Sequence, residues 1–297
     1  ALLGTDGVPT LGGVVATNGS GPRRIQTGAC RDSLIGVRFV DGRGRVVKNG
    51  GRVMKNVTGY DLVKLSAGAF GTLGVLTELS FKLSPCPEAA RTLRISGLSE
   101  AAAVAALCAA LGSPFDVSGA AHDPAGEDGA PLTLVRVEGF ETSVAYRAAR
   151  LRELLGPHGD AEIDADATRI AASWRRVRDV EPFAGRVGAV WRLSLKPSEA
   201  PAVVQHLGRT LALTAFYDWA GGLVWLLVPE EGDAGASAIR AETQARGGHA
   251  KLVRAAEPTR AAVEVFEPEP GPLAAISARL RARFDPQGVL NPGRMRV

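Results

Sequence analysis

The stretch Gly51–Leu83, GRVMKNVTGYDLVKLSAGAFGTLGVLTELSFKL, decides how the chain is read. Asp61–Ala67 reads as a short helix, and Gly68 stands where a helix closes on a left-handed residue. Gly68-Ala69-Phe70-Gly71-Thr72-Leu73-Gly74 follows, with GxxGxxG spacing. From Val75 on, Val75, Thr77, Leu79, Phe81 and Leu83 alternate with Leu76, Glu78, Ser80 and Lys82, the period of a half-buried strand. A Rossmann fingerprint is GxGxxG and follows a strand. Here the spacing differs and the glycines precede the strand, which argues against a nicotinamide site of that kind.

Upstream, Ile35, Val37 and Phe39 alternate with Gly36 and Arg38 as a strand. Asp41-Gly42 is a hairpin turn signal, and Arg45–Lys48 is the return strand. Before that, Thr10–Arg24 (TLGGVVATNGSGPRR) gathers Gly12, Gly13, Gly19 and Gly21 among small residues. Missing side chains let a backbone approach a pyrophosphate, and free N–H groups can cradle it. No Gly-Lys-Ser/Thr follows, so this is not a Walker loop. Either glycine cluster taken alone is equally a tight turn. The chain opens at Ala1 directly on this segment and reads as a piece whose beginning lies elsewhere.

Downstream, Pro85 and Pro87 mark a boundary. Ala89–Pro270 then reads as strand Thr92–Ile95, helix Ser99–Leu111, strands Phe115–Ser118 and Leu132–Glu138, and helix Ser143–Leu155. A helix over Ala165–Arg178 breaks the rhythm. Strand Val187–Leu195, helix Glu199–Gly208, strands Leu211–Tyr217 and Leu223–Val228, helix Ala234–Arg246 and strand His249–Val253 complete it. The second half is β-α-β-β-α-β, the ferredoxin-like order, and the first half is β-α-β-β-α. Two such units side by side predict one wide antiparallel sheet with helices on one face. The end carries a helix Gly271–Phe284, with Leu273, Ile276, Leu280 and Phe284 at helical spacing. A turning segment, Asp285–Arg294, closes the chain; it either lies against a cofactor or merely packs.

The 297 residues are 45% hydrophobic and 22% charged, an ordinary globular composition. Net charge is +4. The densest basic stretch, Trp174–Arg178, lacks the length and stacking aromatics of a nucleic-acid surface and reads as a solvated helix face. No apolar run is long enough to span a bilayer, and no signal peptide opens the chain. Cys30, Cys86 and Cys108 are widely spaced, suit a reducing cytoplasm and suggest neither zinc nor disulfides. No cluster has metal-ligand spacing.

Taken together, the Gly-Gly segment, the strand hairpin, Lys55-Asn56-x-x-Gly59-Tyr60-Asp61-Leu62, Gly71-Thr72-Leu73-Gly74-Val75-Leu76-Thr77-Glu78 and the closing FDPQGVLNPGRM resemble a known family. They are similar to the FAD-binding domain of the vanillyl-alcohol-oxidase (PCMH) type found in glycolate oxidase and D-lactate dehydrogenase. VWRLSL (190–195), DWAGGLVWL (218–226) and GGHAKL (247–252) resemble the glycolate oxidase E-subunit family. The resemblance implies an α+β chain. Residues 1–88 would be an incomplete FAD-binding domain, 89–270 a ferredoxin-like antiparallel-sheet cap domain, and 271–297 a helix and flavin-contacting tail. It implies FAD held by Gly12, Gly13, Ala16, Thr17, Gly19, Gly21, Gly71, Gly74, Val75, Thr77, Asn291 and Arg294. It further implies a small 2-hydroxy acid such as glycolate as substrate. Electrons would pass to partner subunits, a second flavoprotein and an iron–sulfur protein among them, in a cytoplasmic complex that meets the membrane through those partners.

Oxidising a 2-hydroxy acid requires a base for the hydroxyl proton and a cation for the carboxylate. His249, after Gly247-Gly248 at a strand start, is the candidate base; the alternative is a structural histidine held by a backbone partner. Arg192 is the candidate clamp; the alternative is a surface ion pair. His122, His158 and His206 fall in polar loops or a helix end. Lys55, Tyr60 and Asp61 either touch cofactor or lock the short helix onto the sheet. Two readings stay open: a catalytic flavin subunit, or a non-catalytic scaffold subunit with an incomplete flavin site; a third, a ferredoxin-like ligand-binding regulatory module, fits the middle pattern but leaves the flanking motifs unexplained.

Overall fold

The computed structural model describes residues 2–53, 59–126 and 129–295. In chain order, helices α1 (Leu11–Ala16), α2 (Arg24–Thr27) and α3 (Cys30–Ser33) lead into strands β1 (Leu34–Val40) and β2 (Val46–Gly50). Then come α4 (Leu62–Ser66), β3 (Val75–Phe81), β4 (Ala89–Ser96), α5 (Glu100–Leu111), β5 (Val117–Asp123) and β6 (Leu132–Gly139). α6 (Glu141–Leu155), β7 (Glu162–Asp164), α7 (Ala167–Asp179), β8 (Ala189–Ser194), α8 (Ala200–Leu207) and β9 (Thr214–Asp218) follow. β10 (Leu223–Val228), α9 (Ala236–Ala245), β11 (His249–Arg254), α10 (Glu257–Ala262) and α11 (Gly271–Phe284) complete the order. These elements form two compact units. The larger holds the residues up to Asp6, Pro22–Gln26 and Cys86–Glu267; the smaller holds Gly7–Gly21, Thr27–Pro85 and the chain from Pro268.

The smaller unit is built on a three-stranded antiparallel sheet, β2-β1-β3. The hairpin turn closes because Asp41 Oδ1 accepts from the Arg43 and Arg45 amides while its Oδ2 takes the Arg45 guanidinium. Val15, Leu34, Val37, Phe39 and Val63 form the core. The β1–β3 register slips between Arg38 and Phe39, which pair with Glu78 and Leu76 and leave Thr77 unpaired. The expected inward row is therefore broken. A one-residue slip reverses which face each side chain takes. Val75 and Thr77 point to solvent, whereas Leu76, Leu79 and Phe81 pack on the core. Asp61 caps α4 by accepting from the Lys64 amide, and Gly68 beyond it has φ +85°. The tail is held by Asp285, whose carboxylate accepts from the Val289 and Leu290 amides. Phe284 packs its ring 6.0 Å from Phe39, while Leu273, Ile276 and Leu280 of α11 remain exposed.

The larger unit is an eight-stranded sheet in the order β11-β8-β10-β9-β5-β6-β4-β7. Each half has the ferredoxin-like order, and the halves abut where β5 pairs antiparallel with β9 at His122 and Tyr217. Three features differ from the sequence expectation. β7 supplies the missing sixth element of the first half; its three residues pair with Thr92–Arg94 and are too short to show a period. α7 packs on the sheet face opposite α5 and α6, so helices cover both faces. Its stripe Ile170, Trp174 and Val177 meets Ala121, Leu132, Leu134, Val190 and Phe216, while α5 and α6 meet Leu93, Ile95, Ala120 and Val135. β5 runs on to Asp123 through Gly119-Ala120-Ala121, residues of weak strand propensity. His122 thus lies in a strand, fully buried, and not in a loop.

Candidate functional site

In the smaller unit, the first glycine segment is helical over Leu11–Ala16, where a pyrophosphate cradle or a tight turn was expected. Thr10 caps α1 by accepting from the Gly13 amide at 3.0 Å, so that N–H is engaged. Gly12 and Ala16 lie within the helix, and Thr17 at its end donates its hydroxyl to Gly13 O at 2.9 Å. The Gly19 amide donates to Val14 O at 2.8 Å. The helix end meets the second glycine cluster, because Gly68 N donates to Val15 O and Phe70 N to Ala16 O. Asn291 of the tail joins both, its side-chain amide donating to Phe70 O at 2.8 Å. A Cβ on Gly71 would sit 2.6 Å from that amide nitrogen.

Asn18, Phe70, Gly71 and Asn291 all have positive φ, +48°, +52°, +72° and +45°. Backbone strain of this kind costs about 1–3 kcal/mol per non-glycine residue and gathers at ligand clamps. The segments the sequence assigned to FAD thus meet in one strained, half-buried junction. Gly12 is open there, with only Thr10 Oγ1 at 3.9 Å from an added Cβ. The amides of Gly13, Gly19, Gly68 and Phe70 are engaged within the chain, so the space a pyrophosphate-bearing cofactor could use here is the opening at Gly12. Gly74 is different: an added Cβ would strike Phe39 at 2.4 Å, so this glycine serves β1–β3 packing. Val75 and Thr77 are exposed at the slipped register, Thr77 donating to Arg38 O, and Arg294 is exposed on the tail. Gly21 closes the segment that the smaller unit keeps.

A separate hollow of about 240 Å³ is lined by Asn49, Tyr60, Asp61, Lys64 and Lys82 among others. Asn49 locks α4 to the hairpin, accepting from the Leu62 and Val63 amides and donating to Tyr60 O. Asp61 and this locking role account for the geometry of α4 on β2; Lys55 lies outside the described residues.

In the larger unit, β8 and β11 bring the two chemical candidates to one sheet face. Arg192 pairs with Trp225 on one side and Lys251 on the other, and His249 pairs with Ser194 two residues along. The His249 side chain is exposed and forms no side-chain hydrogen bond among the described residues. Arg192 forms no ion pair among the described residues; its guanidinium lies 5.2 Å from the Trp219 ring and 6.0 Å from Trp225. Burial, then the neighbouring Arg24 charge, pulls its pKa below the ordinary value. Arg24 stacks on the same Trp219 ring at 4.9 Å.

Asp218, 3% exposed, accepts from the Trp219 amide at 2.7 Å. Its burial pushes the carboxyl up to about 7 against the pull of that amide, Arg136 and Arg192. Arg136, stacked 4.3 Å from Trp174, is pulled down to about 10, chiefly by burial. It donates to Ser118 and pairs with Glu138, which also takes Arg23. The sequence reading missed Asp218, Trp219, Arg24 and Arg136. Their signal is the segment Asp218-Trp219-Ala220-Gly221, whose Trp219 and Ala220 are consecutive left-handed residues, φ +53° and +57°. Such strain has no one-dimensional signature outside glycine. On the sheet's other face, His122 Nδ1 lies 3.0 Å from Thr133 Oγ1, and burial lowers its pKa to about 4. Among the described residues no metal-binding group of His, Cys, Asp or Glu occurs, and no helix is long and apolar enough to cross a membrane.

A family model described as an FAD binding domain matches residues 2–50. Glycolate oxidase subunit GlcE of Escherichia coli strain K12 is 37% identical over 287 residues, 96% of this chain and 71% of that protein. Glycolate oxidase subunit GlcD of Bacillus subtilis is 42% identical over 86 residues, 29% of this chain and 18% of that protein. A D-lactate dehydrogenase of Anaerostipes hadrus is likewise 42% identical over 86 residues. Among solved structures, alkyldihydroxyacetonephosphate synthase matches with a TM-score of 0.64 at 16% identity. That match covers 96% of this chain, which spans only 58% of the synthase chain; it is a likeness of fold.

Proposed function

Because the chain belongs to the FAD-dependent oxidoreductase family of glycolate oxidase subunit GlcE, we propose that it is the flavin subunit of a complex that oxidises a small 2-hydroxy acid, glycolate foremost. The single observation that carries this reading is Arg192: a half-buried guanidinium, without an ion-pair partner among the described residues, 5.2 Å from the Trp219 ring and 6.0 Å from the Trp225 ring. A desolvated cation so placed favours an anionic ligand, and a planar guanidinium matches a carboxylate in two-point fashion. FAD would be held by the backbone of Gly12, Gly13, Ala16, Thr17, Gly19 and Gly21, by Gly71, Val75 and Thr77, and by Asn291 and Arg294. Bound there, FAD supplies a hydride acceptor.

The chain's own residues divide the remaining work. Arg192 holds the substrate carboxylate and fixes the carbon that gives up hydride. The His249 imidazole, exposed on the same sheet face, takes the hydroxyl proton as the carbonyl forms. Trp219 and Trp225 wall the carboxylate from water. Electrons leave to partner subunits, a second flavoprotein and an iron–sulfur protein, as the family relationship suggests.

The test is flavin retention and turnover. The purified chain, mixed with FAD and freed of excess, is expected to keep flavin absorbance. In the assembled complex, His249→Ala is expected to leave flavin content unchanged and lower glycolate turnover. A chain that retains no flavin supports the scaffold reading instead; unchanged turnover removes His249 from the chemistry.

A further inference from the structure

Two guanidinium groups share one indole in the larger unit: Arg24 at 4.9 Å and Arg192 at 5.2 Å from the Trp219 ring centre. They reach it from distant points in sequence, Arg24 from the Pro22–Gln26 segment and Arg192 from β8. Two like charges this near one another repel, and burial strengthens the repulsion. The ring faces offset part of that cost. An anion between or beside the guanidiniums offsets more. The ring itself is carried by a strained turn, Trp219 and Ala220 both left-handed. The turn is tied down by the Asp218 carboxyl, which accepts from the Trp219 amide at 2.7 Å. Asp218 is therefore joined to the site twice, through the backbone that presents Trp219 and through its charge.

We propose that Arg24, Trp219 and Arg192 form a carboxylate-binding site whose occupancy is coupled to a proton on Asp218. Only the choice of a 2-hydroxy acid as the ligand rests on the function proposed above. The coupling follows from charge. With Asp218 ionised, its carboxylate partly neutralises Arg192 and Arg136. A second carboxylate arriving at Arg192 repels it, and Asp218 takes up a proton. Burial already holds Asp218 up to about 7, so this exchange falls in the neutral range.

The charged groups that act on Asp218 are Arg136 on β6 and Arg192 on β8, and Arg24 acts on Arg192 in turn. Arg136 is paired with Glu138 and Ser118, and Arg23 with Glu138. On β5, Asp123 is paired with Arg176, and His122 bonds Thr133 on the opposite face. Lys251 and His249 of β11 lie beyond Arg192 on the shared face. His249 also lies on this face, and the experiment must separate its contribution from that of Asp218.

The experiment is titration of the full chain with glycolate at pH 6 and pH 8. Binding is read by tryptophan fluorescence and by calorimetry in buffers of different ionisation heat. An ordinary carboxylic acid stays ionised over this range. Expected is saturable binding that is tighter at pH 6. The affinity loss approaches about tenfold per pH unit above the Asp218 pKa, the limit for one coupled proton. Net proton uptake accompanies binding at pH 8. Asp218→Asn should bind equally at both pH values, and His249→Ala should keep the wild-type pH dependence. Arg24→Ala and Arg192→Ala should each weaken binding by about tenfold or more, with Arg192→Lys in between.

Binding by the wild-type chain without proton uptake overturns the coupling, and that result needs no variant to fold. Binding that is absent, or indifferent to both arginines, overturns the site. Loss of pH dependence in His249→Ala assigns the proton to His249 and also overturns it. Flavin retention is measured separately. A chain that binds glycolate in this manner yet holds no FAD refutes the flavin reading and leaves this inference standing.

Discussion

At the scale of single residues, Arg192 and Asp218 carry the clearest expectations. A charge-assisted hydrogen bond contributes about 1.5–3 kcal/mol. Arg192→Ala is therefore expected to raise the KM of the complex for its hydroxy acid roughly tenfold to a hundredfold while leaving its melting temperature nearly unchanged; a steady-state titration beside a thermal melt checks both. Asp218 and His122 should act on stability in opposite directions. Asp218 has a folded pKa of about 7 against an ordinary 3.8, so its stabilising share is full below pH 4 and is lost as pH rises through 7. His122 has a folded pKa of about 4 against 6.5, so its share is full above pH 6.5 and is lost as pH falls through 4. Each corresponds to at most about 3–4 kcal/mol. Asp218→Asn should gain on the wild type as pH rises from 4 to 8, and His122→Gln should gain as pH falls from 7 to 4. Urea melts across that range would show both slopes, and a flat difference for either variant removes that group's linkage.

At the scale of elements, local chemistry and packing make separate demands. Asp61, Ser99 and Asp166 each cap a helix through a side-chain oxygen, and such caps are visible in a sequence. The slip at Thr77 is not, because alternation in β3 is compatible with either face until β1 fixes the register. Gly74 shows the consequence. Its missing Cβ admits Phe39 and the Val40 carbonyl, which an added methyl would meet at 2.4 and 3.0 Å. Gly74→Ala is expected to cost about 1–3 kcal/mol through overpacking of β1 on β3. Chemical denaturation measures it, and an unchanged midpoint would mean the two strands adjust freely. The helix α7 broke the sequence rhythm for a physical reason: its apolar stripe faces the side of the sheet that α5 and α6 leave open.

At the scale of the whole molecule, the two compact units carry different candidate chemistry. The smaller holds the strained backbone junction of Asn18, Phe70, Gly71 and Asn291, and the larger holds the Arg24–Trp219–Arg192 assembly. A ligand that binds only the folded state at a hundred times its Kd stabilises by about 2.7 kcal/mol. FAD at that excess is therefore expected to raise the melting temperature and to slow amide exchange at Val15–Gly21 and Gly68–Gly71. Exchange in β8–β11 should change little. Protection confined to the larger unit would place the flavin elsewhere.

The sequence by itself determined the fold class and the family. Turn glycines, strand alternation and helix caps are local, and ordered glycine-rich segments tolerate few other readings. It also pointed to Arg192 and His249, because β8 and β11 are periodic enough to assign. Tertiary structure alone decided the rest. It set the register that turned Thr77 outward, added the short strand β7, and buried His122 through a run of Gly and Ala. It also gathered Arg24, Arg136 and Asp218 around two tryptophans. Those outcomes depend on which strands become neighbours and on how far burial shifts a charge, and both are properties of contacts between residues far apart in the chain.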